Sequence, residues 1–519
     1  MRGRHFLSTA TYLVLALNLL NLGLAADFYV DVNATGTGTG ATWEDAFPTI
    51  REGIEACSGT SSDTVHVASG SYIENLCFKS HIQLLGGYPG GGGLRDAKAN
   101  PTIIDGNNAG TVVSFGSVTD AGIDGFSIMN GKATYGGGIY CIGSSPTLSN
   151  NTFTNNSASY GAAIACHENS APRIAGNLVK GNSASNAGGG ISCWHGSSPM
   201  IIDNIIEGNT AKWLGGGVSC WYDSNPTISD NKILGNTAAT YHGGGIYCYY
   251  GSSPIIINNL IAGNAAVRDG GGLYCFYKSA PKIVNCTVSY NVADSNKDGK
   301  GNGSALYVSE AENQTGILNC ILWGSSEMIA GDVGDVEASY SDIQGGWEGT
   351  GNIDEDPLFT DRENGDYTLL SGSPCVDSAF STDTPKFDMI KNPRVDDRNA
   401  SNTGDGSDGD YYDMGALELQ SEGCDYNNDG QEDTLYDLIV GIKGADLNRG
   451  IERALTVKLE NAESAFDRGK TDTGCNLLAA FMHMMDALAG KQLTQEQVDF
   501  YREWLCCLNE YNWECELCE

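Results

Sequence analysis

Four polar side chains in this sequence have the chemistry to act on a substrate: Lys212, Arg268, Asp223 and His195. A basic group can take the proton α to a uronate carboxylate, and a carboxylate or imidazole can serve as the partner acid or base. Lys212 and Arg268 fall at related turn positions two repeat units apart, and Asp223 follows the Trp221-Tyr222 pair. Around them run aromatic residues: Trp194, Trp213, Trp221, Tyr222, Tyr241, Tyr249 and Phe276. Flat rings at regular spacing can stack on sugars, on a protein partner or on one another. No acidic cluster suited to a calcium-dependent lyase, and no convincing carboxylate pair suited to a hydrolase, occurs among the repeats. Further along, Asp425, Asn427, Asp429 and Asp433 set oxygen ligands around Gly430, as in a calcium loop. Its twelfth position is Tyr436 and the acid comes one residue late, at Asp437, so an acidic linker turn is the competing reading.

A repeat must position these groups. Cys141, Cys166, Cys193, Cys220, Cys248 and Cys275 recur at intervals of 25, 27, 27, 28 and 27 residues. Pro146 through Pro281 and Asn151 through Asn259 keep step with them. Each unit runs Gly-Gly-Gly, Ile/Val, any, Cys, a Ser-x-Pro turn, an apolar strand through Asn, then Gly-Asn-x-Ala. Alternation within it has strand period, and a unit this short makes one coil of a parallel β-helix rather than a propeller blade. In-register coils then place the six Cys in an inward ladder, with an Asn ladder at a bend. The thiols are expected to be buried and free, with vertical disulfides or metal as alternatives.

Composition narrows the function. The formal charge of −35 excludes a nucleic-acid partner, which needs a basic surface. Residues 131–293 carry 6 acidic and 8 basic residues, whereas 294–420 carries 26 and 7, so a nearly neutral body meets acidic ends. Arg2 and Arg4, the apolar stretch Leu13 to Leu24 and Gly23-Leu24-Ala25 read as a secretory leader over 1–26. That stretch is too short for a comfortable span, and no transmembrane segment is expected in the mature chain. A secreted, extracellular or cell-surface location follows.

The Gly-Gly-Gly-Ile and Phe153-Thr154-Asn155-Asn156 elements resemble the repeats of polymorphic outer-membrane proteins. The whole resembles bacterial right-handed parallel β-helix proteins of the pectate-lyase-like superfamily. That resemblance implies an all-β, right-handed parallel β-helix. It also implies that 27–130, with Phe28-Tyr29-Val30-Asp31 and Trp43 to Ile50, supplies an N-terminal cap and first coils. Repeats follow over 131–293. Tyr340 to Gly346, Asp356 to Phe359, Gly365 to Leu369, Ser371 to Asp377 and Asp413 to Glu418 resemble a choice-of-anchor Q region, so 294–420 is expected to hold terminal coils and an acidic cap.

Beyond an acidic linker at 421–444 the period turns helical. Leu455, Leu459, Ala462 and Phe466 share a face, and Thr494 with Gln497 forms a capping box. Residues 445–519 resemble the FIMAH domain, a small α-helical module that offers a site for a protein partner. Its Met and Phe residues read as packing core. Cys506, Cys507, Cys515 and Cys518 read as two disulfides. Three functions remain open: a binder of polysaccharide, surface glycan or another partner through the aromatic face, a polysaccharide lyase or glycoside hydrolase using that face, and a structural spacer.

Overall fold

A computed structural model describes residues 25–420, apart from 326, 383, 397–399, 401 and 407–410, and most of 438–505. The expected calcium ligands Asp425, Asn427, Asp429 and Asp433, the four C-terminal cysteines and residues 1–24 of the leader lie outside the described residues.

The repeat unit folds as one coil. In the coil from Ser183, a side-strip strand Ser183–Ala187 leads through Gly188-Gly189-Gly190 into Ile191–Trp194. The chain then turns at Ser197 and Pro199, runs through Met200–Ile202, turns at Asn204, and runs through Ile205–Glu207 to Asn209. Each strand pairs in parallel with its counterpart one coil on, as in Ile191↔Val218 and Cys193↔Cys220. The result is three long sheets of ten to twelve strands and a six-stranded side strip, the architecture the repeat implies. The sheet carrying the cysteines is called the Cys sheet below.

The glycine corner shows why the repeat needs its Gly-Gly-Gly. Gly215 has φ +62°, open to glycine at little cost, and a Cβ on Gly217 would sit 2.7 Å from the carbonyl oxygen of Gly245 in the next coil. Stacked backbones leave no room there for a side chain.

Inside, Ile139, Ile164, Ile191, Val218, Ile246 and Leu273 form one apolar column, and the six cysteines form the next, all free and buried. Their thiols hydrogen-bond from coil to coil. Burial first, then the neighbouring thiol, pushes Cys141 well above the ordinary thiol range, as an apolar interior disfavours thiolate.

The bends are held by amides. Asn204 Nδ2 donates to the carbonyls of Ile174 (2.8 Å) and Ile202 (2.9 Å) and to Asn231 Oδ1 (3.0 Å). Its own Oδ1 accepts from Asn177 N and Nδ2, both at 2.9 Å. This ladder ends in Cys286 and Cys320, whose sulfurs accept from the backbone N of Asn259 and Cys286, each at 3.4 Å. A second ladder, Asn156, Asn182, Asn209, Asn236, Asn264 and Asn291, repeats the arrangement at the next bend. Its signal, the Gly-Asn-x-Ala step, stands in the sequence, where only the first ladder was anticipated.

A strand and a short helix cover the N-terminal end. Strand Asp27–Val30 adds to Asp63–Ala68, and helix Ile50–Ala56 buries Ile50 and Ile54 against them. Thr49 caps that helix by accepting from the backbone N of Glu52.

Chain contacts divide the molecule into two units, 1–339 with 343–354, and 340–342 with 355–519. In the second, Arg394 donates to Glu418 Oε2 at 2.6 Å with both side chains fully buried. Asp388 and Asp413 are buried around the same centre. Burial pushes the Glu418 carboxyl up to about 8 and raises Asp413 and Asp388 as well, Arg394 opposing in each case. Helices Arg449–Phe466 and Thr471–Leu488 pack through Leu455, Leu459, Ala462, Leu478, Phe481 and Met485, so the Phe and Met residues are core. The capping box is formed in both directions, Thr494 N to Gln497 Oε1 at 2.9 Å and Gln497 N to Thr494 Oγ1 at 3.1 Å. Cys475 is disulfide-bonded.

Candidate functional site

Strand alternation sends Ile and Cys inward on the Cys sheet and rings outward. His167, Trp194, Trp221, Tyr249 and Phe276 pair in register down one outer column. Trp194 stacks on Trp221 with centroids 5.0 Å apart and planes at 11°, and Tyr249 on Phe276 at 5.7 Å and 17°. Rings stacked along the coil axis cover one another's faces and present edges to solvent. The expectation that these rings offer flat faces to sugars is therefore corrected for the Trp194–Trp221 and Tyr249–Phe276 pairs. Trp221 breaks the stack against Tyr249, meeting it edge-on at 71°. The Trp221 Nε1 atom is buried without a hydrogen-bond partner.

The column before the cysteines is also less open than the alternation alone suggests. Tyr247 and Tyr274 are only 4% and 7% exposed, stacked at 5.5 Å and 3°, and Tyr274 continues onto Tyr307 at 5.2 Å and 6°. Burial pushes both phenols far above their ordinary range. They build a second apolar layer outside the sheet.

One residue beyond the Cys-sheet strand lies a column of unusual backbone. His195, Tyr222, Tyr250 and Tyr277 have φ of 53°, 52°, 53° and 49°. Left-handed backbone is uncommon for bulky side chains, costing roughly 1–2 kcal/mol per residue. Their N–H groups are nevertheless held by the next coil, Tyr222 N to Tyr249 O at 3.2 Å and Tyr277 N to Ser309 O at 3.1 Å. The rings run on in sequence, His195–Tyr222 at 5.3 Å, Tyr222–Tyr250 at 5.3 Å and Tyr250–Tyr277 at 5.0 Å. Tyr250 and Tyr277 were missed as site residues; the doubled aromatics Tyr249-Tyr250 and Phe276-Tyr277 were the available signal. Asp223 sits exposed at this corner, also left-handed at φ 58°.

The remaining candidates lie at the other edge of the Cys sheet, before the glycine corner. Trp213 and Tyr241 are 39% and 46% exposed and meet at 65°, and His242 stacks on Tyr241 at 6.0 Å and 16°. Lys212 Nζ stands 5.9 Å from the Trp213 ring centroid and rims a trough of ≈ 570 Å³ lined by Lys132, Ser157, Ser183 and Thr210. Arg268 is held by Asp298 through Nη1 at 2.9 and 3.0 Å. Next to it His242 Nδ1 lies 3.2 Å from Asp269 Oδ2, its ring stacked on Tyr274 at 4.3 Å. Lys212 and Arg268 thus share one edge, and His195 and Asp223 the other. A four-residue strand, about 13 Å at ~3.3 Å per residue, separates the pairs. Among the described residues no group of three or more His, Cys, Asp or Glu is placed to hold a metal ion.

A family model described as right handed beta helix region matches residues 202–342. A second, described as a protein of unknown function, DUF1565, matches residues 32–224. A comparison with curated proteins finds no match. Among the described residues no helix is long and apolar enough to cross a membrane. Stacked parallel sheets together with the first of these matches make the chain a right-handed β-helix protein.

Proposed function

We propose that this is an exported β-helix protein that binds a polysaccharide along its aromatic edge. The supporting observation is the left-handed column of His195, Tyr222, Tyr250 and Tyr277. The fold does not need bulky rings there, since Gly, Asn or Asp fits that backbone at lower cost, so their presence is explained by what they present outward. Tyr250, 41% exposed, with Tyr277 and the tips of Trp194, Trp221 and Tyr249, offers apolar edges and hydroxyl donors that repeat at the ~4.8 Å coil spacing. A chain-like ligand lying along the solenoid meets the same chemistry at each coil. Trp213 and Tyr241 supply exposed rings on the opposite edge.

A catalytic reading has one observation in its favour, the His242–Asp269 contact beside Arg268. An imidazole held in place, here by the Asp269 backbone N–H donating to His242 Nδ1 at 3.3 Å beside the carboxylate, can serve as a general acid or base.

The test is a panel of acidic and neutral polysaccharides. Tryptophan fluorescence reports binding, while reducing ends and unsaturated-uronate absorbance report cleavage. A fluorescence change without chain shortening is the expected result. Shortening that is lost in His242→Ala would establish the catalytic reading instead. Silence across the panel would overturn both.

A further inference from the structure

Asp63 is a carboxylate only 1% exposed, on the first full coil. Buried carboxylates ordinarily have a cation beside them, because removing the charge from water is costly. The hydrogen-bond donors to Asp63 among the described residues are uncharged: Ser61 Oγ (2.7 Å), Ser58 N (2.8 Å), Ser58 Oγ (3.0 Å) and the backbone N of Ala26 (3.0 Å). Burial opposes ionisation, yet these donors hold the carboxyl below its ordinary value, so the site is built for an anion. The nearby ammonium of Lys79 is turned to the carbonyls of Glu55 (2.9 Å) and Cys57 (3.2 Å).

The fourth donor belongs to the residue that follows Gly23-Leu24-Ala25. Ala25 is exposed and Ala26 half-buried, with the Ala26 carbonyl accepting from Thr64 N at 2.8 Å. We propose that the chain is processed between Ala25 and Ala26, one residue ahead of the 1–26 leader boundary read from the sequence, and that the new α-ammonium of Ala26 is the cationic partner of Asp63. Hydrolysis of that amide by a leader peptidase consumes one water. It leaves a carboxylate on Ala25 and an ammonium on Ala26, already at hydrogen-bond distance from Asp63 Oδ1. Processing thereby turns a neutral N–H contact into an ion pair that pins the first strand, Asp27–Val30, to the solenoid end. This inference rests on the export reading.

The experiment expresses the full chain with its leader, takes the mass of the exported protein, and compares its melting temperature with a form retaining two residues ahead of Ala26. That longer form keeps the N–H contact and lacks the charge. The same pair is measured in Asp63→Asn. A mature chain starting at Ala26, melting a few degrees above the longer form, with that gap abolished in Asp63→Asn, is the expected result. A different first residue on an exported chain overturns the processing site while leaving export intact. A chain that stays inside with its leader attached overturns the export reading itself. A chain starting at Ala26 whose extension changes nothing, or changes Asp63→Asn equally, overturns the ion pair.

Discussion

Two corners of the same coil share a left-handed backbone and differ in what occupies it. At the bend before the first amide ladder the positions are Asn150, Gly176, Asp203, Asp230, Asn258, Asn285 and Asn319, residues that tolerate φ near +55°, and past the ladder's end the next coil has Tyr340 at φ 45°. At the bend after the Cys sheet they are Glu168, His195, Tyr222, Tyr250, Tyr277 and Glu310. The first corner is occupied for folding: small polar residues there precede amides that satisfy buried backbone groups in three coils. The second accepts strain at successive coils and places large rings outside the core. Identical geometry with opposite economy separates a structural column from one kept for its surface.

That contrast can be broken most severely at the amide ladder. Asn204→Ala leaves the Asn177 N–H and the Ile174 carbonyl without the Asn204 side chain, at about 1–3 kcal/mol each, while the Ile202 carbonyl and Asn231 Oδ1 keep the backbone N–H groups of Gly176 and of residue 204. A loss of about 3 kcal/mol or more is expected, seen as early hydrogen exchange confined to the coils around 177–231. Next, Asp230→Tyr forces onto the economical corner the type of residue the other corner tolerates. It should destabilise by about 1–2 kcal/mol in denaturant melts, and a neutral result would remove the argument from strain. The reciprocal change, Tyr250→Asn, relieves that strain, so it should raise the melting temperature slightly while weakening glycan binding about tenfold, or about 1.4 kcal/mol, by titration of tryptophan fluorescence.

The smallest effect concerns charge. The amide ladders carry no titrating group, so their own contribution should not change with pH. The buried acids of the second unit behave differently. With Glu418 held up to about 8 and Asp413 and Asp388 raised, the folded unit retains protons that the unfolded chain releases. Its stability is full below the ordinary carboxylate range and is lost as pH rises through about 8. Between pH 7 and 8 the loss should be about 1 kcal/mol, read from hydrogen exchange over 375–418.

Much of the solenoid was legible in the residues. A period of about 27 with Cys, Pro and Asn in step sets coil length, parallel register and the inward cysteine ladder, because only in-register stacking buries the same side of every unit. The helical stretch from 449 and its capping box were equally legible, being local in sequence. The candidate site was legible in residue type and not in geometry. Trp194, Trp221 and Tyr249 were identifiable as outward-facing, yet nothing in spacing tells whether a ring covers its neighbour or stands free.

By itself, then, the sequence determined a stacked coil with a neutral repeating body, since periodicity and alternation are properties of the chain read in order. Tertiary structure decided the rest. It set which rings keep a free face, that Tyr247 and Tyr274 are buried, that Lys212 and Arg268 stand across a strand from His195 and Asp223, and that Ala26 meets Asp63. These are relations between residues 11 to 73 positions apart, and side-chain rotamers in adjacent coils settle them only once the coils are stacked.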